Sequence, residues 1–383
     1  VTYTFTGGTP PAVATQIGSG AYTQATLSSG SLTLSIPSGE TNFSVAYTCP
    51  SFAGSPETEN FEFIAQASTK DGTSFTKACG QPGSSQTGTA TVQVNAAAIS
   101  NATNIEIGDV IVPWQGSNVN FSVSLSTGSQ DVPILVFKGN NPQDNYLAIK
   151  ILRSQTVPGA LNGGSPVIFG ASDAVTTQTI TYKNVPSGYV VSSPLVNYET
   201  AAGTLITLDY FGPAGQYLGV PSAAYQSGDY YVFGTAAQST AGGAGGETAV
   251  GVETFTATGG PQTFTFPAAW AYSSVTAAAL PTFSFAYSGF SGMPNVVDNA
   301  SLGWFQGTNI SNEIQMTATA NYQNGNTSMT IPDLSSLSGF FSPKGFSGSL
   351  YWTAEVTQGA TTGTNPPNGT IQYVANYGTY TLP

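Results

Sequence analysis

Glu57, Glu59 and Glu62 fall in Glu57-Thr58-Glu59-Asn60-Phe61-Glu62, the most charge-dense stretch of a chain of 383 residues. Three carboxylates with loop carbonyls form the oxygen-rich donor set that Ca²⁺ takes, with about six to eight ligands. The stretch reads more readily as a solvated loop running into a strand, with Glu62 alternating outward between Phe61 and Phe63, because it contains no Asp-x-Asp-x-Asp-Gly loop. No cofactor is expected unless Ca²⁺ binds there. The aromatics offer a second chemistry. Trp114, Tyr225 and Tyr230, with Tyr231, Trp270, Trp304 and Trp352, could stack on sugar rings while Asn, Gln and Ser bind hydroxyls, but nothing in their spacing marks a patch and they read more readily as filling sandwich cores. Trp114, beside Pro113 and Gly116, is the better candidate for exposure, whereas Trp352, between Leu350 and Ala354, reads as core. The oxygen-rich run Gly139-Asn140-Asn141-Pro142-Gln143-Asp144-Asn145 reads as a turn, because Asn, Pro and Asp favour turns for backbone reasons.

The chain contains no histidine. That removes Ser-His-Asp and Cys-His relays and any imidazole-ligated zinc. Catalysis by carboxyl groups alone survives, as in glycosidases, which set two carboxyls about 5–10 Å apart. Glu313 and Glu355 lie in strand-like runs and could face one cleft. No Asp-Thr-Gly or Asp-Ser-Gly triplet is present, and Asp71-Gly72-Thr73 has the wrong order. No catalytic residue is assigned, and the expectation is a protein that is not an enzyme.

Charge is scarce and acidic: 7 Lys and Arg against 19 Asp and Glu, a net charge of −12. The seven cations, Lys70, Lys77, Lys138, Lys150, Arg153, Lys183 and Lys344, form no basic patch, which excludes nucleic acid and anionic membrane surfaces as expected partners. Once the carboxylates are protonated, only those few positive side chains remain. Self-repulsion in acid is then small, and a stability plateau reaching low pH is expected, which a steep loss of structure between about pH 5 and pH 3 would contradict. With 40% hydrophobic residues the chain has material for sizeable cores and is not of disordered composition.

Period-2 alternation dictates the elements. Phe121, Val123 and Leu125 alternate with polar residues, as do Phe264 and Phe266, in runs of strand length punctuated by Gly and Pro. Short helical turns are expected at Pro221–Gln226 and Pro332–Leu337. The fold class is therefore all-β, tandem immunoglobulin-like β-sandwich domains. Expected domains are 1–97, 98–240 (large enough to be two) and 241–383, the last following the Gly-rich linker Ala241-Gly242-Gly243-Ala244-Gly245-Gly246. Cys49 and Cys79 each end a strand-like run, and in an exported protein they are expected to pair, adding about 3–4 kcal/mol on the loop-entropy argument. No apolar run approaches the length of a membrane span. The start at Val1, in the strand-like Val1-Thr2-Tyr3-Thr4-Phe5-Thr6, is read as following removal of an export signal or lipid-anchor segment.

Three echoes of an apolar-x-apolar-Pro strand end (Leu34–Pro37, Phe264–Pro267, Met329–Pro332), each followed by an aromatic-rich strand, support repeated domains. Gln226-Ser227-Gly228-Asp229-Tyr230-Tyr231-Val232-Phe233 resembles the approach to strand F in immunoglobulin-like and fibronectin type III domains, where an aromatic closes the tyrosine corner. Pro37–Val45 and Pro186–Val190 are looser versions. No Trp lies between Cys49 and Cys79, so the antibody-type pattern is absent. With Tyr3-Thr4-Phe5-Thr6-Gly7-Gly8 and the Ile151–Ala160 run, that segment makes the chain similar to exported or lipid-anchored β-sandwich proteins of acid-dwelling soil bacteria. The resemblance implies an extracellular or periplasmic location and carries no activity across. The expected function is a structural or adhesive surface module whose partner is a surface protein or glycan. The alternative is a carbohydrate-binding protein using surface aromatics, and the third reading is an acid-stable hydrolase.

Overall fold

The structure is a computed structural model describing residues 1–49, 58–79, 86–108, 110–116, 118–139, 146–192, 194–209, 215–239, 247–256, 259–270, 275–305, 310–359 and 370–382. It is all-β, and one α-helix, α1 (Ala320–Gln323), interrupts the strands among these residues. Thirteen strands form one sheet. In chain order they are β1 (Ala12–Ile17), β2 (Thr23–Gln24), β3 (Asn42–Cys49), β4 (Thr58–Ser68), β5 (Tyr189–Val191), β6 (Leu195–Glu199), β7 (Leu205–Asp209), β8 (Tyr230–Ser239), β9 (Glu247–Thr256), β10 (Val297–Phe305), β11 (Ile310–Thr319), β12 (Ser349–Gln358) and β13 (Thr370–Thr381). Across the sheet the order is β7-β6-β8-β9-β13-β12-β10-β11-β4-β3-β1-β2, with β5 on the side of β8. Neighbours are antiparallel except β11 and β4, which run parallel from Ile310↔Thr58 to Ala318↔Gln66.

Alternation places every second residue of these strands in the largest core. Leu302 and Trp304 of β10, Leu350, Trp352, Ala354 and Val356 of β12, and Tyr231 and Phe233 of β8 are buried there. Short strands at Thr176–Lys183, Gln216–Gly219, Gln262–Thr265, Thr282–Ser284 and Ser328–Thr330 bring Tyr217, Phe264, Phe283 and Met329 to the same core. All three of Trp270, Trp304 and Trp352 are core residues.

Two smaller cores flank it. Strands Thr2–Thr6, Ser31–Thr33 and Ser74–Ala78 pack Tyr3, Phe5 and Leu32 onto the other face of β3 and β4, where Phe43, Val45 and Tyr47 point. The Cys49–Cys79 disulfide closes this unit, with Cα atoms 5.2 Å apart. A separate sandwich pairs the four-stranded sheet of Asn104–Ile107, Val110–Pro113, Gly128–Phe137 and Tyr146–Val157 with a sheet built on Thr87–Asn95 and Val119–Ser126, around Val92, Ile134 and Phe169.

The expected divisions at 97 and 240 do not separate sheets. Thr87–Asn95 belongs to the second sandwich, and the large sheet takes strands from all three segments, because the unpaired edges of β4 and β11 satisfy each other's backbone groups. The expected linker 241–246 lies outside the described residues. The expected helical turns form single turns, closed by Ala224 N–H to Pro221 O and Leu337 N–H to Leu334 O.

Arg153 fastens the second sandwich to the large sheet. Its guanidinium donates to Asp131 at 3.0 Å, to Asp229 at 2.6 and 3.1 Å, and to Ala224 O at 2.6 Å. Tyr198 of β6 and the N–H groups of Ala201 and Gln226 donate to the same Asp229 carboxylate. Burial alone would raise the Asp229 carboxyl; bonds from Arg153, Tyr198 and two backbone N–H groups hold it below the usual carboxylate range. The Gln226–Phe233 segment also makes a tyrosine-to-backbone bond, from Val220 N–H to the Tyr231 hydroxyl at 2.6 Å.

Candidate interaction face

Because Trp304 and Trp352 point inward, their neighbours Phe305 and Tyr351 must point out. Phe305 is 50% and Tyr351 48% exposed, and their rings meet edge to face at 5.8 Å. Val190 of β5, Leu195 of β6 and Leu205 of β7 also lie on the outward side, opposite in register to their inward neighbours. Five of the nine large hydrophobic side chains exposed among the described residues thus sit on this one sheet face.

Between these apolar ends the face is polar and acidic. Asn299 of β10 donates to Glu355 Oε1 at 3.2 Å and to Thr357 Oγ1 at 3.0 Å, and the Thr357 hydroxyl donates to the same Glu355 oxygen at 2.8 Å. Gln315 donates to Glu313 at 2.9 Å. Tyr373 of β13 lies across Gly251 of β9; a Cβ on Gly251 would come within 1.9 Å of the Tyr373 ring, so only glycine lets the ring lie there. No strand of the large sheet contains lysine or arginine. The face therefore carries part-exposed aromatic rings and pre-bonded amide and carboxylate groups, with an anionic balance.

The sequence-derived candidates are placed elsewhere or apart. Trp114 packs against the core of the second sandwich and is half-buried. Tyr225 borders a groove of about 300 Å³ with Tyr231, Val220 and Gln178, and neither Trp114 nor Tyr230 lines that groove. Tyr230 is on the outward side of β8, opposite Glu199, but is only 7% exposed and offers no open ring face.

The three glutamates do not converge. Glu57 lies outside the described residues. Glu59 and Glu62 are three apart on β4 and so project from opposite faces. Glu62 is fully buried against the largest core, where burial pushes its carboxyl up to about 8 against the single N–H of Phe341 at 3.3 Å. Among the described residues its Oε1 has no partner, nor has the hydroxyl of Thr48 directly across on β3. A carboxyl that keeps its proton is a poor Ca²⁺ ligand. No group of three or more potential metal-ligating acids or cysteines occurs among the described residues.

Glu313 and Glu355 do share a face, yet β10 lies between their strands, about 10 Å of lateral separation. Each is bonded to an amide or hydroxyl of its own face. The adjacent aromatic pairs Trp304-Phe305 and Tyr351-Trp352 carried the missed signal, since neighbours in a strand cannot both enter one core.

No protein-family model matches the chain, and no curated protein matches it.

Proposed function

We propose that the protein is a non-enzymatic extracellular or periplasmic surface module that adheres through the outward face of the large sheet. The observation that carries the reading is the exposed, touching pair Phe305 and Tyr351 on a sheet face whose strands carry no lysine or arginine. Aromatic anchors in an acidic surround suit a partner with cationic groups and some apolar surface, and disfavour a second copy of a chain of net charge −12. The disulfide supports an oxidising compartment, and the likeness to exported soil-bacterial proteins supports the same location.

The test is retention on amine-bearing and carboxylate-bearing polystyrene beads at moderate salt. Wild type is expected to favour the amine beads, and Phe305→Ser with Tyr351→Ser to lose about tenfold of that retention, some 1.4 kcal/mol, at an unchanged melting temperature. Equal retention of the double variant, or preference for carboxylate beads, would refute the reading.

A further inference from the structure

A second site lies on the core side of the large sheet, away from the outward face. The segment 285–293, α1 with the turn after it, and β10 line an open pocket of about 480 Å³. Tyr287 and Phe290 stand edge to face at 5.0 Å in its wall, and Met293, 44% exposed, stands at its rim. Asp298 of β10 and Gln323 of α1 line it, and Gln323 donates to Asp298 Oδ2 at 3.4 Å. That is the one hydrogen bond the Asp298 carboxyl makes among the described residues. Asn326 lines it too, its amide already spent on Ser328.

The pocket is held open by bonds outside it. Asp71 accepts from Thr319 and Asn321 at 2.5 Å each, fixing the start of α1, and Phe285 N–H bonds Thr327 O at 2.6 Å. Tyr287 spends its hydroxyl on Ala268 O at 2.9 Å, leaving its ring as the contact surface. An aromatic wall with a few fixed polar groups is the usual build of a small-molecule site.

Charge narrows the ligand. No lysine or arginine lines the pocket, so nothing there would hold an anion. Burial pushes the Asp298 carboxyl up to about 7, against a weak opposing bond from Gln323, so in acid the group is a neutral donor and acceptor without charge to attract an ammonium. What remains is a neutral ring with one apolar face and hydroxyls on its edge. We propose that this pocket binds a neutral sugar ring, stacked against the part-exposed ring of Tyr287, which Phe290 backs edge-on, with its hydroxyls on Asp298 and Gln323.

The probes are methyl glycosides of glucose, galactose, mannose and N-acetylglucosamine, with tetramethylammonium and inorganic phosphate as charged counterparts. Binding is read at about pH 5 by ligand-observed NMR on the full chain. The expected result is saturable binding of at least one glycoside and of neither ion. Affinity should fall about tenfold or more in Asp298→Leu. Met293→Arg, which closes the rim without touching the core, should do the same at the wild-type melting temperature, and Asp298→Leu should keep the wild-type circular dichroism spectrum. Phe305→Ser with Tyr351→Ser should leave glycoside binding intact, separating this site from the outward face. Absence of glycoside binding, preference for tetramethylammonium, or glycoside binding unchanged in Met293→Arg would overturn the proposal.

Discussion

Arg153 shows how a chain with few charges places them. It is one of seven cations, and it is paired with two buried carboxylates, Asp131 and Asp229. Lys344 with Asp333, by contrast, is an exposed pair within a surface loop. Removing one member of a buried pair strands the other, so Arg153→Met is expected to destabilise the protein by about 3–5 kcal/mol. Lys344→Met should cost about 0–1 kcal/mol, as exposed pairs do. Chemical denaturation of the two variants checks this, and similar midpoints would refute the role given to Arg153. The run Ile151–Ala160 and the segment Gln226–Phe233 stood out in the sequence separately. Their side chains meet at this cluster, which no spacing rule reveals, because 76 residues separate Arg153 from Asp229.

At the scale of the element, alternation is the governing rule, and it separates stability from recognition within a dipeptide. Trp352 is 3% exposed in the core and Tyr351 is 48% exposed outside it. Trp352→Ala is expected to cost about 3–5 kcal/mol through the cavity it leaves. Tyr351→Ser should change stability little, within about 0.5 kcal/mol, as surface substitutions do. Thermal unfolding of both variants tests the register of β12, and the reverse order of effects would show that the strand is flipped. The same alternation made Phe264, Phe266, Phe121 and Val123 readable as core from sequence, and each is buried. It also sets Glu59 and Glu62 on opposite faces, so the run of acids that looks like a metal site along the chain is divided by the strand carrying it.

The whole molecule sums a few buried carboxyls with opposed effects on stability. Glu62 and Asp298 are pushed up to about 8 and about 7 from ordinary values of 4.5 and 3.8 by burial. The folded state then binds more protons than the unfolded state between those limits, so stability falls as pH rises from about 4 to about 8. Asp333, pulled down to about 2 by Lys344 and Ser335, and Asp229, also held low, act in the other direction: their contribution is present above about pH 4 and lost as pH falls further. Lys77, held below its ordinary 10.5 by burial, opposes the decline on the alkaline side. The expected melting temperature is higher by several degrees at about pH 4.5 than at about pH 8, with Glu62→Gln flattening the profile. Scanning calorimetry across that range decides it, and a melting temperature rising steadily to pH 8 would be the contrary result. The sequence by itself determined the all-β class, the disulfide and the burial of Trp352, because alternation, turn residues and cysteine placement are local and act within one strand or one short loop. Only the tertiary structure decided the single sheet that joins β4 to β11, the Asp229–Arg153 cluster, the outward platform and the Asp298 pocket. Each arises from contacts between residues tens to hundreds of positions apart, and such contacts are selected by the packing free energy of the whole fold, which leaves no periodic trace in the chain.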